Sequence, residues 1–170
     1  MGAHGADNPN SVVVSAGDMI GASPLVSALF LDEPTILAMN MIGMDFNAVG
    51  NHEFDRGRAE LLRVQRGGCA KYTVREPCGL DPKFSGARFG FLTANTLTED
   101  GTPLFPPYAF KSFGSGSQRV RVAFIGMTLK DTPSVVTPAA VAGLSFATRQ
   151  IRRTFRSRPF GHKAATRSSC

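Results

Sequence analysis

A chain of 170 residues suits one domain or a piece of one, and a hydrophobic content of 42% is enough for a core. No apolar run is long enough to span a membrane. The formal charge of +6 does not make the body a polyanion binder: residues 1–146 hold 12 Lys and Arg against 13 Asp and Glu, while residues 147–170 hold 7 Lys and Arg and no acid.

Residues 1–10 are polar and glycine-rich, without the charged start, apolar middle and cleavage site of a signal peptide. Met1-Gly2 is followed by Ala6 where a myristoylation signal needs Ser or Thr. His4 reads as an ordinary tail histidine. Val12 to Gly17 is a β-branched run that predicts a strand, with Asp18 at its carboxyl end. Ser23 to Phe30 and Glu33 to Gly43 predict two short helices. Ser23 can cap the first, with Pro24 at its first position, and Pro34 opens the second. In the second, Ile36, Leu37, Asn40 and Met41 recur at helical spacing, and Gly43 ends it. Met39, Met41 and Met44 read as core filler. Phe46-Asn47-Ala48-Val49 predicts a second strand, running out at Gly50. Arg56 to Arg66 predicts an amphipathic helix with Leu61, Leu62 and Val64 inward, stopped by Gly67-Gly68.

Cys69 to Phe84 reads as a polar loop with two cysteines nine positions apart. A disulfide, two free thiols and a metal site are the alternatives; no matching Cys or His pair follows, which disfavours zinc. Phe89 to Asn95 predicts a third buried strand, and Thr96 to Pro107 a turn-rich loop. Tyr108–Phe113 and Val120–Gly126 predict a hairpin across Gly114-Ser115-Gly116-Ser117. After Phe146 the composition changes abruptly to an Arg- and Ser-rich stretch with little periodicity, which reads as a frameshifted or artificial end. The chain thus divides into a polar segment at 1–10, a body at 11–146 and a basic, disordered tail at 147–170.

The most chemically dense stretch is Gly50-Asn51-His52-Glu53-Phe54-Asp55, which packs an amide, an imidazole and two carboxylates into a strand-to-helix turn. One reading is purely structural: Asp55 is a good helix cap and Asn51 suits a tight turn. The other takes in Asp18, 33 residues before Asn51, about the length of one strand–helix–strand unit. A right-handed crossover sets the two strand ends side by side, where ligands bind in α/β sheets. Oxygen donors there suit divalent metals, with Asp18 able to bridge two ions.

Val14 to Pro24, Met39 to Asp45 and Gly50 to Gly57, taken together, resemble the calcineurin-like metallophosphoesterases, and within them the bacterial 5′-nucleotidase and 2′,3′-cyclic-nucleotide phosphodiesterase branch. The resemblance runs from about Asn10 to Phe146. It implies an α/β fold, a layered β-sandwich flanked by helices, here incomplete. It implies hydrolysis of nucleotide phosphoesters at two divalent ions (Mn, Zn, Co or Mg). Asp18 then bridges the ions and Asn51 ligates the second. His52 faces the phosphate, Asp55 orients its imidazole, and Glu53 braces the turn. The resembling proteins are mostly exported, which favours a Cys69–Cys78 disulfide, leaves Cys170 free, and implies a periplasmic or exported parent.

The resemblance also implies an upstream Asp-x-His and, later, a His-ended strand and a Gly-His-x-His. Only Gly2-Ala3-His4 and Gly161-His162-Lys163-Ala164 approach these, and each lacks half of its motif. The family's substrate-binding aromatic residues lie in a separate domain with no counterpart here. The expectation is a fragment of a nucleotide hydrolase, inactive or nearly so by itself, with a nucleotide as substrate and no nucleic acid. The competing readings are a non-catalytic relative of the fold and a nucleic-acid binder acting through its basic tail.

Overall fold

The computed structural model describes residues 8–148. The predicted polar segment and basic tail therefore lie outside the described residues, apart from 8–10 and 147–148. His4, the Gly161–Ala164 stretch and Cys170 lie outside as well.

The three apolar runs meet in one parallel sheet. Strand β1 (Val14–Ser15) pairs with β2 (Phe46–Ala48), which pairs with β3 (Gly90–Leu92), in the order β1–β2–β3. Val14 lies opposite Phe46, and Ala48 opposite Leu92. Two crossovers connect them, as parallel strands require. The first holds α1 (Leu25–Ala28) and α2 (Glu33–Ile42); the second holds α3 (Arg58–Arg66). All three strands are shorter than predicted, because their ends give way to the loops that carry the polar chemistry.

The helices bring several corrections. The predicted helix over 23–30 is a single turn, and Ser23 does not cap it. The Ser23 hydroxyl donates instead to the Asp32 carboxylate, a charged and therefore stronger acceptor than the open turn offers. Helix α2 starts and stops as predicted, with Pro34 in its first turn and Gly43 closing on the Met39 carbonyl. Ile36 is fully buried, with Leu37, Met39 and Met44 packed on the core, but Met41 is 81% exposed and is not core filler. Five residues beyond Ile36, it points about 140° away around the helix. Helix α3 begins two residues later than predicted, with Gly57 rather than Asp55 at its N-cap. The Asp55 carboxylate is drawn to His52 instead.

The core gathers Ile36, Val49, Phe54, Leu61, Val64 and Phe91, all at 1% exposure or less. Phe54 meets Phe146 edge to face at 5.5 Å. That contact is made possible by strands β4 (Thr96–Leu97) and β7 (Ser145–Phe146), which pair antiparallel and return the chain to the core. Between them, β5 (Tyr108–Phe113) and β6 (Val120–Ile125) form the predicted hairpin. A short helix, α4 (Thr132–Val135), follows. The result is a mixed α/β fold with parallel and antiparallel sheets. Cys69 and Cys78 are joined in a disulfide, their Cα atoms 5.6 Å apart. Among the described residues no helix is long and apolar enough to cross a membrane.

Candidate functional site

The carboxyl ends of β1 and β2 come unusually close. Gly17 has φ +104°, and a Cβ there would lie 2.7 Å from the Gly50 nitrogen. A Cβ on Gly50 would in turn lie 2.2 Å from Asp18 Oδ1. Two glycines therefore let two backbones and a carboxylate share a space that side chains would fill. Asp18 itself is left-handed, at φ 58°, a conformation that Asp tolerates better than most residues.

One buried side chain holds this junction together. Glu53 is 2% exposed. Its Oε2 accepts the N–H of Asp18 at 2.9 Å and of Gly50 at 2.8 Å, while Oε1 accepts the N–H of Met19 at 3.1 Å and the Asn47 amide at 3.3 Å. Burial pushes the Glu53 carboxyl above its ordinary range, and the donors from Asp18, Met19, Asn47 and Gly50 offset this only in part.

The remaining groups cluster on the turn. The His52 backbone N–H donates to Asp18 Oδ1 at 3.0 Å, so the Asp18 carboxylate sits one peptide unit from Asn51. His52 Nδ1 lies 2.8 Å from Asp55 Oδ2, with the two side chains 40% and 32% exposed. The Asp55 hydrogen bond raises the imidazole above its ordinary value, and Asp18 and Glu53 add to it electrostatically. With Nδ1 engaged, Nε2 is the nitrogen left for a ligand. The Asn51 carbonyl accepts the Phe54 N–H, while its side-chain amide has no partner among the described residues. The structure thus brings Asp18, Asn51, His52 and Asp55 to one edge of the sheet. Cys69 and Cys78 lie apart, on the loop after α3.

A second anchor was not foreseen from the sequence. Asp32 is fully buried and accepts the Gly21 N–H at 3.0 Å, the Ser23 hydroxyl and the Arg56 guanidinium. Burial alone would raise its pKa; the donors from Gly21, Ser23 and Arg56 outweigh that and hold it below the ordinary range. This ties the loop after Asp18 to the residue that follows Asp55. Nothing in the sequence marks the position; in the structure Leu31 and Asp32, just before Pro34, are both left-handed.

Asp18 and Asn51 offer oxygen donors, which fit a hard divalent cation in kind. In number they fall short, since such ions take about four to eight ligands. Among the described residues no group of three or more His, Cys, Asp or Glu is placed to hold a metal.

No family model matches the chain. It is 58% identical over 111 residues to a protein in the pqq-V 5′ region of Acinetobacter calcoaceticus, covering 64% of this chain and 54% of that protein. It is 39% identical over 142 residues to the endonuclease YhcR of Bacillus subtilis, covering 83% and 11%. A 5′-nucleotidase of Vibrio parahaemolyticus is 30% identical over 142 residues, covering 83% and 21%. Among solved structures, the 5′-nucleotidase precursor of Thermus thermophilus superposes with a TM-score of 0.63 at 25% identity, covering 85% of this chain and 24% of that one. The chain spans about half of the first of these relatives and a quarter or less of the others.

Proposed function

The chain resembles the calcineurin-like phosphoesterases of the 5′-nucleotidase type, and we propose that it forms part of a metal-dependent hydrolase of nucleotide phosphoesters. The observation that carries this reading is the hydrogen bond from the His52 N–H to Asp18 Oδ1, which brings two strand-end oxygen donors beside a His–Asp pair.

In this reading Asp55 fixes the His52 imidazole through Nδ1 and favours its protonated form, so that Nε2–H donates to a phosphoryl oxygen. As the ester bond breaks, the same proton passes to the leaving oxygen. Asp18 and Asn51 would hold the metal through a carboxylate oxygen and an amide oxygen. Two divalent ions (Mn, Zn, Co or Mg), when bound, supply Lewis-acid polarisation of the phosphoryl group and an activated water. Glu53 keeps the two strand ends in register and does not touch substrate. The described residues offer too few metal ligands for efficient turnover, so hydrolysis by this chain alone falls far below an ordinary enzyme's roughly 10 per second.

The substrate in this reading is a nucleotide. Nucleic acid is not proposed, because residues 1–146 carry one more acid than base. The Cys69–Cys78 bridge suits an oxidising, exported setting.

The test is a titration of the purified chain with Mn²⁺, followed by paramagnetic broadening of its backbone amide resonances. Broadening centred on Asp18, Asn51 and His52, and lost in Asp18→Ala, is expected. Broadening that ignores these residues, or that survives Asp18→Ala, overturns the reading.

A further inference from the structure

The loop between Cys69 and Cys78 is held at its two ends. Within it the hydrogen bonds are internal: Lys71 pairs with Glu76, and the Thr73 hydroxyl accepts the Arg75 N–H. Among the described residues no hydrogen bond or ion pair joins residues 70–77 to the rest of the protein. Tyr72 is 55% and Val74 95% exposed, so burial does little to hold them either.

The two ends are unequal. At the first, the Gly68 carbonyl accepts Arg63 at 2.9 Å and the Gly68 N–H donates to the Phe84 carbonyl at 2.8 Å. At the second, the Cys78 N–H donates to Glu33 Oε1 at 2.8 Å, and Cys78 stands at φ 60° to do so. A residue with a Cβ adopts that left-handed conformation against its preference and keeps it only where its surroundings impose it. The disulfide imposes it, by fixing Cys78 to the firmly held first end with the Cα atoms 5.6 Å apart. With the bond cut, Cys78 is free to return to negative φ, which turns its N–H away from Glu33.

The bond is also open to attack. Cys69 is exposed and Cys78 half-buried, and exposed disulfides are the labile ones. The ion cluster beneath is complete without the bridge, since Arg63 pairs with Glu33 at 2.8 Å and with Glu60 at 2.7 Å. Each sulfur already faces a carbonyl, Cys69 Sγ at 3.5 Å from that of Pro82 and Cys78 Sγ at 3.6 Å from that of Gly68. Two thiols would therefore find acceptors in place.

What the loop covers gives the bond a consequence. Tyr72 and Val74 form one wall of a surface cleft of about 720 Å³, and Ala59, Leu62 and Ala140 line it as well. The cleft reaches Asp55 at the site turn.

We propose that Cys69–Cys78 is a redox latch: oxidised, it holds the loop as a wall of this cleft; reduced, it releases the loop and opens the cleft while the core stays folded. The inference goes beyond the phosphoesterase reading and does not depend on it. The reductant is a dithiol. One of its thiolates attacks the exposed Cys69 Sγ, the bridge breaks, and Cys78 leaves as a thiolate that takes a proton from water. The second thiol of the reductant then displaces Cys69 as a thiol, so the reductant ends as a disulfide and the bridge as two thiols.

The experiment is nuclear magnetic resonance of the 170-residue chain, oxidised and then reduced with dithiothreitol, with Cys69→Ser as a form that cannot latch. On reduction the Cys78 amide is expected to exchange its hydrogen about tenfold faster or more, while the core amides of Val49, Leu61 and Phe91 stay within about twofold. A soluble gadolinium chelate should broaden the Ala59 and Leu62 methyl signals about twofold more than before. Glutathione disulfide should restore both readings in the wild type, and Cys69→Ser should read as reduced in either medium. Core amides that speed up along with Cys78 overturn the latch, because the bridge is then a staple of the whole fold. Faster exchange at Cys78 with unchanged methyl signals overturns it too, because the bridge then does not govern the cleft. A folded chain that dithiothreitol leaves oxidised, or that reads alike in both states, overturns it as well.

Discussion

The carboxylate of Glu53 accepts the backbone N–H of Asp18 at 2.9 Å, across 35 residues of chain. The same carboxylate takes the N–H groups of Met19 and Gly50. One side chain thus satisfies three backbone donors at two strand ends, and it does so from inside the turn that carries His52. Removing it leaves those donors without an acceptor, and an unsatisfied buried donor costs about 1–3 kcal/mol. Glu53→Ala should therefore destabilise the fold by about 3 kcal/mol or more in urea unfolding. A loss below about 1 kcal/mol would mean that water replaces the carboxylate easily and that the junction does not depend on it.

Asp32 makes stability pH-dependent. Its carboxyl is held below the ordinary value of 3.8 by donors that outweigh its burial. A group whose folded pKa is depressed contributes stability that is fully present above its unfolded pKa and lost as pH falls through the folded one. The contribution should hold from neutral pH down to about 4 and fade below that. Asp32→Asn should lower stability by about 2 kcal/mol at pH 7, by stranding the partly buried Arg56 guanidinium. The gap between wild type and variant should narrow on acidification below pH 4. Thermal unfolding midpoints across pH 3–7 check this, and a gap that widens toward pH 3 contradicts it.

Gly21 connects this anchor to the site. Its φ is +94°, and a Cβ there would lie 2.2 Å from the His52 carbonyl oxygen and 2.7 Å from Asp55 Oδ2. Neither atom belongs to the far end of a long flexible chain, so the turn must move. Gly21→Ala should part His52 from Asp55 and let the imidazole pKa fall toward its ordinary 6.5. Histidine ring resonances followed against pH report this directly. An unshifted titration in a folded Gly21→Ala protein would show that the pair tolerates the displacement.

The sheet and the turn were legible for specific reasons. Val12-Val13-Val14 and Phe46 to Val49 are apolar runs that end in glycine and a polar residue, and their spacing matches one crossover. The resemblance carried by Gly50 to Gly57 pointed to the same edge. What could not be read are the charges that end up inside. Asp32 looks like an ordinary acid before a helix, yet its backbone turns left-handed and aims the carboxylate at three partners. Glu60 and Arg63 sit on a helix whose pattern assigns charge to the outside, yet both are buried. A sequence pattern scores each residue alone, whereas a buried ion pair is a property of residues brought together by the fold.

The buried cluster around Arg63 yields the last prediction. Arg63 is 4% exposed, donates to both oxygens of Glu60 at 3.0–3.1 Å through Nε, and reaches Glu33 Oε1 at 2.8 Å through Nη1. Its guanidinium also lies 5.2 Å from the Phe84 ring centre. Two buried carboxylates thus share one cation. Removing the cation leaves both uncompensated, and breaking a buried pair in this way costs about 3–5 kcal/mol. Arg63→Met should fall in that range or fail to fold at neutral pH. Glu33 is the more dispensable partner. Among the described residues its Oε2 has no hydrogen-bond partner, while Oε1 accepts both Arg63 and the Cys78 N–H. Glu33→Gln keeps an oxygen for both donors and removes the excess negative charge, so its cost should stay below about 1 kcal/mol, within the net worth of one hydrogen bond. Urea unfolding of the two variants separates the accounts. If Glu33→Gln costs as much as Arg63→Met, the second carboxylate is needed as a charge. The disulfide loop above it would then rest on an ion pair and not on a single accepted hydrogen bond.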